Sequence, residues 1–370
     1  VPERGHEPLT VLLLSDPGLP SRRAASVQDR LEAQLARELA RPVTLHTRTE
    51  MLRLRPDNTL DLEHIRTAAS EEQPADLVLM LTEIPRHTEG RPLVAEVVPA
   101  EGLAVVSCPT LGAWATRRRI VRVLTAAALR LVGGVDGAQQ AGPREAGRLD
   151  SRWSRWSRSG DGERAMLHAH TLTGGPRTVL GMILGNDPWR TAPKLSSALA
   201  AAAATGAFGI FYTSIWEMSS YLPTLRLIMI GMLAVVSMVA WLILSNGLWD
   251  KPRRESLGTV VMLYNLSTVG TLLICVLSLY LALVVLILLG AVVVIDPRFM
   301  ESVIQEPATF ARYLDVAWLS AAMGVVAGAL GSSFDANTDL RQITHGQRER
   351  QRRYTEEESE ESSAGSPSTS

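Results

Sequence analysis

Apolar positions change their rhythm along this chain, and the change marks its organisation. Residues 9–14 (LTVLLL) and 76–81 (DLVLML) are short continuous apolar runs, as in strands covered on both faces. Between them, over 21–39, Ala24, Val27, Leu31, Leu35 and Leu39 recur at helical spacing, with Ser21 placed to cap. Residues 42–47 alternate as a strand, and 60–70 read as a second helix. Two further strands, 93–98 and 103–107, are separated by Pro99-Ala100-Glu101-Gly102, a hairpin signal. A helix over 110–132 follows, closed by Gly133-Gly134. The order β-α-β-α-β-β-β-α predicts an α/β soluble domain over 1–135: a mostly parallel, three-layer sheet with an antiparallel hairpin at one edge.

Residues 136–176 are rich in Gly, Ser, Arg and Gln with poor apolar periodicity and read as a flexible linker. Residues 177–194 read as an interfacial segment leading to the membrane. From 195 to 331 charges almost vanish, and four spans are predicted at 195–216, 225–244, 272–295 and 314–331. Each approaches the roughly 20 apolar residues that cross a hydrocarbon core, which predicts an α-helical transmembrane bundle of about four helices. The uncharged stretch 256–295 is long enough for two crossings. However, 272–289 holds no Gly, Pro, Asn or Asp for a turn, and Asn265, Thr268, Thr271, Cys275 and Ser278 fall three or four apart. That spacing predicts one long helix with a polar stripe turned inward. The tail, 332–370, is basic, then acidic, then rich in Ser, and is expected to stay disordered.

A net charge of −1 hides a local asymmetry. Arg190 and Lys194 precede the first span, Lys251, Arg253 and Arg254 lie between the second and third, and Arg341, Arg348, Arg350, Arg352 and Arg353 follow the fourth. The other two connections hold Arg226, Arg298 and Arg312 beside Glu217, Asp296, Glu301, Glu306 and Asp315. The positive-inside tendency then predicts a multi-pass plasma-membrane protein with cytoplasmic termini. Cys108 and Cys275, the two cysteines, sit in different halves, so no disulfide is expected, and the run at 9–14 does not read as a signal peptide. Ala202 with Gly206, and Gly324 with Gly328, are small-residue pairs that bring helices close, either in a compact bundle or in a homo-oligomer.

Candidate chemistry is sparse. In parallel sheets ligands sit beyond the carboxyl ends of the strands, which points to Ser15, Asp16, Thr82 and Glu83. The simpler reading of Ser15-Asp16-Pro17-Gly18 is a turn. Neither GxGxxG after the first strand nor GxxxxGK[ST] occurs, so no nucleotide cofactor is expected. His168 and His170 lack a third ligand nearby, and no metal site is expected. Trp153 and Trp156, each followed or preceded by Arg, suit a membrane interface of anionic lipid, as do Trp189, Arg190 and Lys194. Stacking on single-stranded nucleic acid uses similar chemistry but is not expected in a membrane protein, and a plain solvated linker remains an alternative for Trp153 and Trp156. The run Arg117-Arg118-Arg119 reads as a basic helix end or as a face for acidic lipid or protein. No charged residue falls within the core of any span, which counts against a proton-coupled carrier.

The stretch from Leu79-Met80-Leu81-Thr82-Glu83 through Gly102-Leu103-Ala104-Val105-Val106-Ser107 resembles the strand and hairpin region of archaemetzincin-like zinc peptidases. That resemblance implies fold alone, because the following helix reads Thr116-Arg117-Arg118-Arg119-Ile120-Val121 where those enzymes carry HExxH. The whole layout, with Asn186-Asp187-Pro188-Trp189-Arg190 and Leu263-Tyr264-Asn265-Leu266-Ser267-Thr268, resembles a family of uncharacterised actinobacterial polytopic membrane proteins. Some members bear a methylenetetrahydrofolate dehydrogenase label, which no residue here supports. Three functions remain open at this level: a non-catalytic membrane protein whose cytosolic domain binds a ligand or partner, a membrane-anchored enzyme with a cleft near Asp16 and Glu83, and a small permease.

Overall fold

The computed structural model describes residues 8–51, 75–88, 91–133, 154–159, 163–188, 196–250 and 258–332. They fall into two compact units, the first made of the described residues up to Gly185 together with 258–264, the second of 186–250 and 265–332.

The first unit is built on one mixed sheet. β1 (Leu9–Ser15) lies between β2 (Val43–Thr49) and β3 (Leu77–Thr82), and β3 pairs with β6 (Leu103–Ser107), all in parallel. β5 (Arg91–Val98) then runs antiparallel to β6, joined by a 3-10 turn at Pro99–Glu101 and Gly102 at φ 61°. β4 (Arg86–Thr88) folds back on the start of β5. α1 (Leu19–Leu39) buries Ala24, Val27, Leu31 and Leu35, the predicted stripe, each contributing about 1.5–3 kcal/mol for the larger side chains. α3 (Arg117–Gly133) buries Ile120, Val123, Leu124, Ala127 and Leu131 in the same core. Both helices therefore cover one face. The opposite face carries Leu14, Met80, Leu103 and Val105 as a smaller buried cluster. The helix expected over 60–70 lies outside the described residues.

Three expectations are corrected in this unit. The β5–β6 hairpin is not at the edge: β8 (Ala165–Ala169) pairs antiparallel with β5, and β7 (Ser154–Arg158) pairs with β8. Part of the expected linker is thus sheet. The reason is that β5 is buried on both faces from Pro92 to Val98 and gains a partner along its open side, where Leu167 meets Ala95. Next, the helix expected over 110–132 is broken into α2 (Cys108–Leu111) and α3, with Gly112 at φ 96° between them. Last, the boundary expected between 176 and 177 falls inside one helix, α4 (Thr171–Gly185), which packs on α2 so closely that a Cβ on Gly181 would run into the Pro109 backbone.

The second unit is helical. α5 (Ser196–Phe211) stops at Tyr212, and α6 (Thr213–Tyr221) leaves it at 84°. The expected span at 195–216 is therefore bent rather than straight. The indole of Trp216 donates to the Gly209 carbonyl at 2.9 Å, satisfying a carbonyl near the end of α5. α7 (Thr224–Ser245) matches the second predicted span closely. α8 (Gly258–Val294) is one helix of 37 residues, as the spacing of 256–295 predicts. α9 (Pro297–Ile304), capped by Asp296, precedes α10 (Phe310–Ser332). Among the described residues three helices are long and apolar enough to cross a membrane, and the bent pair makes a fourth if it is one span.

Small residues join α5 to α10. A Cβ on Gly324 would strike the Ala202 carbonyl oxygen, and one on Gly209 would strike the Ser320 hydroxyl. The two small-residue faces read from the sequence thus meet each other inside one chain. On α7, a Cβ at Gly231 would come within 2.6 Å of the Tyr280 hydroxyl and 2.7 Å of the Trp318 indole nitrogen. Those two rings meet edge-on at 5.1 Å. Tyr280 donates to the Trp318 carbonyl and Trp318 to the Leu227 carbonyl, so both polar tips have partners among apolar helices.

Candidate functional site

The carboxyl ends of β1, β3 and β6 converge, because parallel pairing places Ser15 beside Leu81 and Thr82 beside Ser107. Three of the four predicted residues form one hydrogen-bonded group there. Oδ2 of Asp16 accepts from the Thr82 hydroxyl at 2.7 Å and from the Glu83 backbone amide at 2.9 Å. Thr82 Oγ1 accepts in turn from the Ile84 amide at 3.1 Å. Ser15 faces the other way and donates to the Arg48 carbonyl at 3.3 Å. Asp16 is 0% exposed, and Ser15, Thr82 and Glu83 are buried with it.

Sequence reasoning missed the remainder of this cluster. Ser107 donates to the Ile84 carbonyl at 2.8 Å and stands 3.1 Å from the Thr110 hydroxyl. The carboxyl-end rule, applied to the third parallel strand, points to that residue. Arg23 is buried and donates to three carbonyls, those of Cys108 at 3.0 Å, Gly112 at 2.8 Å and Ala113 at 3.1 Å. Its signal was its place four residues before Val27, on the apolar face of α1. These three bonds hold the loop that interrupts the helix after Leu111. Burial pushes the nearby Cys108 thiol up to about 11; Arg23 opposes the rise, and Asp16 and Glu83 add to it. A thiol held neutral in this way is a poor nucleophile.

One further charged cluster lies in the sheet. Glu96 on β5 is buried and pairs with Arg86 at 2.5 Å and Arg164 at 3.2 Å. Burial raises its carboxyl, but the two guanidinium groups outweigh that effect and hold it below the ordinary value. Among the described residues no group of three or more His, Cys, Asp or Glu side chains is placed to hold a metal ion.

Of the expected membrane-interface residues, Trp153, Trp189, Arg190 and Lys194 lie outside the described residues. Trp156 has a different role: it packs against the core of the soluble unit, with the Arg130 guanidinium 3.9 Å above its ring. Burial lowers Arg130 to about 10. Strand pairing of β7 with β8 decides this, since it directs the indole at the sheet's own core.

In the helical unit the predicted polar stripe faces inward, with Asn265, Thr268, Thr271 and Cys275 buried. Ser278 is half-buried and bonds back to the Ile274 carbonyl. The partner of the stripe is the Asn186-Asp187-Pro188 segment. The Asn186 amide donates to the Thr271 hydroxyl at 2.9 Å and to Ser267 at 3.4 Å, and the Cys275 thiol points at the Pro188 carbonyl at 3.4 Å. Asp187 takes a left-handed backbone, φ 47°, to make this approach. Comparison with known proteins adds no name to these sites, because no protein-family model, no curated protein and no solved structure matches the chain.

Proposed function

We propose that this chain is a membrane-tethered recognition protein, whose α/β domain binds a small ligand or a protein partner on the cytoplasmic side without turning it over. The single observation that supports this most is the condition of Asp16. A general acid, base or nucleophile has to reach its substrate. Asp16 is fully enclosed, and its Oδ2 already serves two donors that tie the loop after β3 to the end of β1. Ser15 and Ser107 serve scaffold carbonyls in the same way. The cluster therefore acts as a staple across the strand ends and leaves recognition to the surface of the domain. The distribution of Lys and Arg around the apolar segments supports a cytoplasmic domain and tail.

The test uses the full chain in lipid nanodiscs, exposed to a cytosolic metabolite extract and followed by mass spectrometry and thermal melting. Retention of a ligand or partner without consumption of any metabolite is expected, with Asp16→Asn lowering the melting temperature. Consumption of a metabolite that Asp16→Asn abolishes at unchanged melting temperature overturns the proposal in favour of an enzyme. Solute flux through proteoliposomes bearing the full chain overturns it in favour of a permease.

A further inference from the structure

Trp114 is 81% exposed, on a loop that has no freedom to tuck it away. On one side, Arg23 grips the carbonyls of Gly112 and Ala113. On the other, Ala115 packs into the core and Thr116 begins the turn that caps α3, its hydroxyl and carbonyl both accepting from the Arg119 amide. Arg177 adds a hydrogen bond to the Leu111 carbonyl. A buried guanidinium is thus committed to presenting an indole to solvent. Immediately after it stand Arg117 and Arg118, both exposed, followed by Arg119 and Arg122, which are engaged within the chain. Three arginines in the first turn oppose the helix dipole, whose positive end favours acidic residues there, and no acidic residue is present in that turn. At Arg117 and Arg118 the rule is broken on the exposed surface, and a local rule broken there points to a functional feature.

We infer that the Trp114–Arg118 corner of the α/β domain docks on anionic lipid headgroups. The chemistry of the corner selects this occupant. An indole settles at headgroup depth with its apolar body toward the acyl chains, and guanidinium groups pair with lipid phosphate. The same chain carries candidate membrane spans, so the domain is tethered to a bilayer and meets its surface at high effective concentration. The inference is independent of whether the domain also binds a soluble ligand.

The experiment uses the full chain in nanodiscs of brominated phosphatidylcholine, alone or mixed with brominated phosphatidylglycerol. The difference in fluorescence between wild type and Trp114→Phe isolates the emission of Trp114. Anionic lipid is expected to blue-shift and quench that emission, and raised salt to reverse both effects. Arg117→Gln with Arg118→Gln, exposed changes that leave the fold intact, should weaken the docking more than tenfold, each charge being worth roughly fivefold. Equal quenching in both lipid mixtures, or no change in the double variant, overturns the inference. A shift induced by inorganic phosphate in detergent without lipid, or by an acidic protein in neutral nanodiscs, assigns the corner to another partner and overturns it as well.

Discussion

Asn265 and Asp250 hold each other through two hydrogen bonds: the Asp250 amide donates to Oδ1 of Asn265, and Nδ2 of Asn265 donates back to the Asp250 carbonyl, both at 2.9 Å. The side chain imitates a peptide group and satisfies backbone that follows α7, where an apolar helix surface offers nothing else. Asn265→Leu leaves a donor and an acceptor without partners, at about 1–3 kcal/mol each. Asn265→Asp should cost more than Asn265→Gln, since a carboxylate still accepts from the amide but repels the carbonyl. Thermal melting of the purified chain, ranked across the three variants, checks the order.

The α5–α10 contact predicts a difference between two glycines. Gly324→Ala sets a Cβ against the Ala202 backbone carbonyl, which has no side-chain route to relief, and should destabilise by about 1–3 kcal/mol. At Gly209 the obstacle is the Ser320 side chain. Gly209→Ala should therefore be partly rescued by Ser320→Gly, whereas Gly324→Ala should not be rescued by any change of side chain at position 202. A double-mutant cycle in melting temperature reads this coupling.

Stability in alkali depends on Cys108. In the folded chain the thiol stays protonated to about 11, while in an unfolded chain it ionises near about 8.5. Above the lower value the unfolded state binds fewer protons, so the contribution is complete below about 8.5 and is lost as pH rises toward 11. Cys108→Ala should flatten this loss between about pH 8 and pH 10. The wild-type thiol should also resist maleimide until denaturant is added.

Glu96 works in acid. Its carboxyl is held low by Arg86 and Arg164 against the cost of burial, so its contribution is present above the unfolded value of about 4.3 and is lost as pH falls through the folded value. Glu96→Gln should destabilise β5 at neutral pH by about 1.5–3 kcal/mol and remove that acid sensitivity. Hydrogen exchange of β5 amides across pH measures both.

Topology turns on α5. Its 16 residues span about 24 Å, short of the roughly 30 Å hydrocarbon core, whereas α8 at 37 residues spans about 56 Å and has turns to spare. If α5 with its bend counts as one crossing, both ends of the chain lie on the same side. Single cysteines at Ser302→Cys and Ser362→Cys, in a Cys108→Ser, Cys275→Ser background, decide this in intact cells. An impermeant maleimide should label the first and not the second. Labelling of the second and not the first means, with the N-terminus in the cytoplasm, that the bent pair does not cross.

Several features were legible in the order of residues because they need no distant partner. The apolar lengths of α7 and α8 are one-dimensional properties, and so is the lack of turn residues that keeps α8 in one piece. The runs of β1 and β3 and the stripe of α1 are local patterns too, and the carboxyl-end rule led from them to Asp16 and Thr82. Tertiary structure alone decided the rest, wherever a short or polar segment takes its meaning from something far along the chain. β7 and β8 are five residues each and become strands only because β5 has an open side to fill. Trp156, which suits a membrane interface on sequence, is claimed by the sheet core and Arg130. Gly112 breaks a helix because Arg23, 89 positions earlier, binds the carbonyl that a continuing helix would have used. The polar stripe of α8 could be read as inward, but its partner Asn186 lies 85 residues before Thr271. Helical and strand periods report which face is buried, and only three-dimensional packing settles what buries it.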